Sequence, residues 1–208
     1  MRHTQNVFSV ESFIDELAHT AHTDPIAYRL ALLDADSRAR QVLELVRERS
    51  GWTQPLPKGR GRGVAFMRYG GTYVAQVAEV TVPSDGNVRV DRVTCAFDCG
   101  QMINPDTVRA QIESAIIWGL SAALWGEITV EHGRTVQSNF HDYRVARMRD
   151  APVIDVHLVV NHETPTGVGE PAVPGVAPAI ANALFAASGR RVRRLPLNLG
   201  RESAGNRG

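Results

Sequence analysis

Glu170 closes the stretch Thr164-Pro165-Thr166-Gly167-Val168-Gly169-Glu170-Pro171, a glycine turn that runs directly into an apolar helical pattern. Gly167 and Gly169 can take backbone angles closed to other residues and let another group come close. Pro171, Pro174 and Pro178 stiffen the entry, since each fixes φ and lacks an N–H. A carboxylate on so constrained a turn is suited to act as a general base. The alternative is an ordinary loop-to-helix junction with an exposed glutamate. Gln111 stands beside an apolar stripe of Val108, Ile112, Ala115, Ile116, Gly119, Leu120 and Ala123. An amide there must find partners if buried; otherwise it is a surface glutamine. His141, in Asn139-Phe140-His141-Asp142-Tyr143, could touch a ligand or serve the loop itself.

Two chemistries are set aside. Cys95 and Cys99 have no second Cys/His pair at a matching spacing, so no metal ligands are expected, and both read as small buried residues. Gly167-Val168-Gly169-Glu170 lacks the third glycine and downstream acid of a dinucleotide fingerprint, and Gly59-Arg60-Gly61-Arg62-Gly63 lacks the helix of a phosphate loop.

The elements that must position these residues follow from periodicity. Val7 to Ala21 predicts a helix with Ser9 as N-cap. Its apolar stripe would be Val10, Phe13, Ile14 and Leu17, with Ser12, Asp15 and Glu16 outward. Asp24-Pro25 opens a second helix striped by Ile26, Leu30 and Leu33; Ser37 to Arg49 forms a third with Val42, Leu43 and Val46 inward. Gly51 to Gly63, rich in Pro, Gly and basic residues, reads as a solvated connector. Val64 to Tyr69 and Thr72 to Val82 flank Gly70-Gly71, a hairpin signal; Pro83 to Asn87 turns the chain, and Val88 to Phe97 returns as a third strand. Asn104-Pro105-Asp106 starts a long helix through Leu124. Short strands are expected over Glu127–Glu131 and Thr135–Ser138, and a longer one over Val153–Val160. Val176, Ala177, Ile180, Ala181, Leu184 and Phe185 recur at helical spacing before Gly189, and Arg191 to Leu197 alternates as a final strand.

The fold class expected is therefore α+β. A helical segment (1–50) and a linker (51–63) precede a domain (64–200) in which an antiparallel or mixed sheet packs on two long helices; a polar, frayed tail (201–208) follows. Of the 208 residues 43% are hydrophobic and 22% charged, ordinary for a protein with a real core. A net charge of +1 gives no global field toward nucleic acid or membrane, and the Arg190–Arg194 cluster reads as the solvated face of a strand. No run is apolar and long enough to cross a bilayer.

Several segments in order resemble the molybdenum-binding subunits of the xanthine dehydrogenase and aldehyde oxidase family. They are Phe8-Ser9-Val10-Glu11-Ser12-Phe13-Ile14-Asp15-Glu16-Leu17-Ala18, Asp24-Pro25-Ile26-Ala27-Tyr28-Arg29-Leu30, Asp98-Cys99-Gly100 with Ile103-Asn104-Pro105, Val108-Arg109-Ala110-Gln111-Ile112-Glu113, and Gly167-Val168-Gly169-Glu170-Pro171. Gly61-Arg62-Gly63-Val64-Ala65-Phe66, Tyr73-Val74-Ala75-Gln76-Val77-Ala78-Glu79-Val80 and Ser138-Asn139-Phe140-His141-Asp142-Tyr143 are similar to the isoquinoline 1-oxidoreductase β-subunit type. The resemblance implies a molybdopterin-binding fold and an oxidoreductase that hydroxylates N-heterocycles or aldehydes with water as oxygen source. Glu170 would be the base, in a partly dry pocket, and Gln111, Gly167, Val168 and Gly169 would contact a molybdenum-bearing molybdopterin in its cytosine dinucleotide form. Family subunits are several times longer, so the chain matches only a C-terminal portion. Its implied partners are the missing N-terminal part of the subunit and a small subunit carrying iron–sulfur clusters. The compartment expected is the cytoplasm, or the periplasm if an export signal lies upstream. The competing expectation is a catalytically silent fragment that only packs against a partner chain.

Overall fold

Gly70 and Gly71 take positive φ angles of 55° and 90°, as a tight two-residue hairpin requires. They join strand β1 (Arg60–Tyr69) to β2 (Thr72–Thr81), which pair antiparallel along their whole length. The computed structural model describes residues 3–83 and 88–197. Strand β3 (Arg89–Asp98) adds antiparallel to β2. Residues Val130–Glu131 and Arg134–Thr135 form a two-residue ladder, β4 and β5. Strand β6 (Val153–Leu158) then pairs parallel with β3, so the main sheet is mixed, in the order β1-β2-β3-β6.

Among the described residues five α-helices serve this sheet: α1 (His3–Thr20), α2 (Pro25–Ala31), α3 (Arg38–Arg49), α4 (Pro105–Leu124) and α5 (Val176–Ser188). Their starts are local chemistry. Asp24 accepts the Ile26 and Ala27 amides at 3.1 and 2.9 Å, Ser37 accepts that of Arg40, and Asn104 accepts that of Thr107 at 3.0 Å. Ile26, Val42, Leu43 and Val46 bury one sheet face with Val64, Ala75 and Val77. The other face, through Ala65, Val74, Cys95 and Phe97, packs with α4 and α5. The buried residues of α4 are the seven of its expected stripe. Ile112, Ile116, Leu120, Ile180 and Leu184 are fully buried together, each stabilising by about 1.5–3 kcal/mol.

Four expectations are corrected. First, β1 begins at Arg60, inside the stretch read as a connector. Side chains on Gly61 and Gly63 would overlap backbone atoms of Ala183, Ala187 and Ala179, so these glycines let α5 lie directly on the strand.

Second, α1 starts earlier and faces the other way: Phe8, Glu11, Asp15 and Ala18 are buried, while Val10, Phe13 and Leu17 are 53%, 59% and 37% exposed. Ser9 is no cap; its hydroxyl donates to the Gln5 carbonyl within the helix. The reason is ionic. Glu11 accepts from Arg29 Nε at 2.9 Å and from the Phe66 amide at 2.8 Å, and Asp15 accepts from Arg191 at 2.7 Å. Arg29 also donates to the Glu11 carbonyl at 3.0 Å, and Asn182 donates to the Val64 carbonyl at 3.0 Å. β1 is a sheet edge, and these side chains occupy backbone groups that would otherwise recruit another strand.

Third, Arg191 to Leu197 forms no strand. Arg191 lies over the Phe185 ring, Arg193 pairs with Glu16, Val192 and Leu197 are buried, and the Leu197 amide donates to the Ala123 carbonyl. Its alternating residues are satisfied by helices rather than by a sheet. Fourth, the strands expected over 127–131 and 135–138 shrink to β4 and β5. The turn expected at 83–87, past its first residue, and the tail 201–208 lie outside the described residues.

Candidate functional site

Two strands and two turns fix the segment that carries Glu170. The Asp98 carboxylate, fully buried at the end of β3, accepts from Arg38 Nε and Nη2 at 2.8 and 2.5 Å, from the Gly100 amide at 3.0 Å and from the Asn161 amide group at 2.9 Å. Burial alone would push this carboxyl up; the Arg38, Gly100 and Asn161 hydrogen bonds outweigh it and hold it below the usual carboxylate range. Gly100, with φ 77°, lets the backbone of Glu163 and Thr164 come within contact, and the Gln101 amide donates to the Glu163 carbonyl at 2.8 Å. Further along, the Thr72 hydroxyl donates to the Gly167 carbonyl at 2.7 Å, and the buried Gln76 amide donates to the Ala172 carbonyl at 2.7 Å. The chain is thus tied to β2 on both sides of Glu170.

Gly167 and Gly169 do not use the angles reserved for glycine, which corrects the reason first given for them. Nothing lies within 4 Å of where their side chains would start, so both leave one backbone side open. Glu170 is exposed rather than set in a dry pocket. Its carboxylate accepts the Tyr69 hydroxyl at 2.9 Å, a partner that sequence reasoning missed because it stands 101 residues away.

Glu170 and Gly169 share a cavity of about 600 Å³ with Gln111, Ser114, Trp118 and Gly119 of α4 and with Thr4 and Gln5 of α1. Gln111 is exposed, and among the described residues its side-chain amide has no hydrogen-bond partner. Gly167 and Val168 do not line the cavity; Val168 packs on the core. His141 lies outside it, in a loop tied by Asp142, which accepts from the Asn139 and Ser138 amides and is held down at about 2 by them. Cys95 is pushed up to about 12 by burial, and Cys99 is raised by burial and by the Asp98 charge, so both thiols stay protonated. Among the described residues no three His, Cys, Asp or Glu side chains gather as a metal site.

The lining chemistry defines what would fit. Amides of Gln5 and Gln111 and hydroxyls of Thr4 and Ser114 can pair with the edge of a neutral heterocycle, while Trp118, Ala115 and Ala122 offer apolar contact. A pterin ring suits this set. No Lys or Arg is among the described lining residues. Glu170 is the only ionisable side chain among them.

Residues 4–152 match the family of the molybdopterin cofactor-binding domain. The chain is 38% identical to the β-subunit of isoquinoline 1-oxidoreductase from Brevundimonas diminuta, over 91% of this chain and 25% of that protein. It is also 38% identical to a nicotinate dehydrogenase subunit from Pseudomonas putida, over 96% of this chain and 18% of that protein. It thus spans a quarter or less of the length of these curated relatives. The fold is shared with aldehyde oxidoreductase from Desulfovibrio gigas, at a TM-score of 0.79 and 15% identity over 93% of this chain and 40% of that one. The chain belongs to the molybdopterin cofactor-binding domain family.

Proposed function

We propose that this chain is the cofactor-facing segment of a molybdenum hydroxylase subunit that oxidises N-heterocycles or aldehydes, with water as the source of oxygen. The observation that carries this reading is a ring-sized cavity of amide, hydroxyl and apolar groups with one ionisable side chain among its described lining residues, Glu170. A bound molybdenum pterin would supply the redox chemistry. The residues of this chain would do the rest. Gln111 and Gln5 would hydrogen-bond the edge of the pterin, and the open backbone at Gly169 would let it approach, while Gly167 and Val168 stand off this cavity. Glu170 would take the proton of the attacking oxygen onto Oε1, the carboxylate oxygen that Tyr69 does not occupy. In the cytosine dinucleotide form, the phosphates would be held beyond this cavity, by parts of the subunit outside this chain. The division into a helical segment (1–50) and a following domain belongs to the same proposal, with β1 moving the start of that domain from 64 to Arg60 and with α4 and the first turn of α1 meeting at one site.

Partners enter on the same footing. The rest of the subunit would complete the cofactor cradle, and a small iron–sulfur subunit would remove the electrons. No helix among the described residues is long and apolar enough to cross a membrane; a cytoplasmic or periplasmic location is part of the proposal. Molybdenum and pterin content of the purified assembly, with turnover of an N-heterocycle or aldehyde, tests the reading. The second reading, a silent packing segment, is favoured by the exposed Val10, Phe13 and Leu32; an assembly free of molybdenum and pterin would establish it instead.

A further inference from the structure

Tyr69 is the last residue of β1 and faces the same side of the sheet as Ala65 and Met67, toward the helices. Its half-buried ring meets the His3 ring edge-on, with centroids 4.6 Å apart, and its hydroxyl donates to Glu170 Oε2 at 2.9 Å. The backbone beneath Glu170 is already held through Gly167 and Ala172. What remains free is the side chain, exposed and with several torsions. Among the described residues Tyr69 is the only hydrogen-bond partner of that carboxylate, and Oε1 is left unbonded.

We propose that Tyr69 is the positioning residue for Glu170: it pins one carboxylate oxygen to the end of β1 and leaves the other presented to the cavity. The inference rests on the reading of Glu170 as the base. A base acts only within hydrogen-bond reach of the proton it takes. A carboxylate left to sample its rotamers is in place for only part of the time, and fixing it removes that loss. The phenol is suited to the task because it keeps its proton. The hydrogen bond to Glu170 and then its charge raise the Tyr69 phenol above the ordinary tyrosine range, so it acts as a donor and not as a second base. Among the described residues the other titratable group around the carboxylate is His3 of α1; α4 contributes Gln111 and Ser114, and the following turn contributes Val173 and Pro174.

The test combines Tyr69→Phe, Glu170→Gln and the double variant in the cofactor-loaded assembly. Tyr69→Phe should lower kcat about tenfold with KM unchanged, the share of one charge-assisted hydrogen bond. In the Glu170→Gln background the same change should have no further effect, because a residue acting through another loses its influence when that residue is replaced. A second readout needs no turnover. The 208-residue chain has four tyrosines, and with 13C-labelled tyrosine Glu170→Gln should shift the ring signal of Tyr69, assigned by its absence in Tyr69→Phe, and leave those of Tyr28, Tyr73 and Tyr143 in place. An unmoved Tyr69 signal, or a Tyr69→Phe deficit that persists in full beside Glu170→Gln, overturns the positioning role. Full turnover in Glu170→Gln overturns the base assignment and the positioning role with it; a shifted Tyr69 signal in that case marks the contact as structural.

Discussion

The Glu11 carboxylate accepts the Phe66 backbone amide at 2.8 Å, so α1 turns a carboxylate, and not its most apolar stripe, toward the sheet. Arg29, 4% exposed, balances that charge from α2. Removing one member of a buried pair leaves an uncompensated charge. Glu11→Ala should therefore destabilise the chain by about 3–5 kcal/mol. Phe13→Ser, on the outward face, should stay within about 0.5 kcal/mol of wild type. Chemical denaturation of the two variants decides between this helix phase and one with Phe13 in the core.

Close approach of α5 to β1 makes a second contrast. A methyl group on Gly63 would overlap the Ala183 nitrogen and the Ala179 carbonyl oxygen, both backbone atoms that cannot step aside. Gly63→Ala should cost about 1–3 kcal/mol or more, as overpacking does. Gly167→Ala meets nothing within 4 Å and needs no unusual φ. It should be close to neutral in the same denaturation assay, within about 0.5 kcal/mol.

Acid should act through Asp98. Its folded carboxyl lies below the ordinary range, so its contribution is present above the unfolded value of about 4 and is lost as pH falls through the folded value. Asp98→Asn should be less stable than wild type at pH 7 by about 1.5–3 kcal/mol, the range for hydrogen bonds to a charged group. Denaturation curves taken from pH 7 down to about 3 should show that gap narrowing below about pH 4. A gap independent of pH would mean the carboxylate charge contributes nothing.

Glu170→Gln keeps size and hydrogen-bonding reach but removes the proton acceptor. In the assembled subunit turnover should fall by about two to four orders of magnitude, the usual share of a general base. Molybdenum and pterin content should stay near wild type. Glu163→Gln, exposed and outside the cavity lining, is the control and should leave turnover unchanged. Equal losses in the two variants would return Glu170 to a structural turn.

What the sequence determined by itself is what neighbours along the chain decide. Asp24, Ser37 and Asn104 cap helices through amides two or three residues away, Gly70-Gly71 closes its hairpin, and the stripe of α4 follows from a 3.6-residue period on one element. The order of motifs also carried the family, with Glu170 and Gln111 picked out. Only the tertiary structure decided the rest. The phase of α1 depends on Arg29, Phe66 and Arg191, and a carboxylate paired so far along the chain reads as solvent-facing when its partners are unseen. Gly61 and Gly63 looked like linker because the helix that needs them lies more than a hundred residues on. Glu170 and Gln111 came to one cavity, and Tyr69 to the Glu170 carboxylate, because the sheet and α4 set distances that no spacing in the sequence encodes. Periodicity reports which face of an element is apolar; charge pairing and close backbone approach between distant elements select which face is buried.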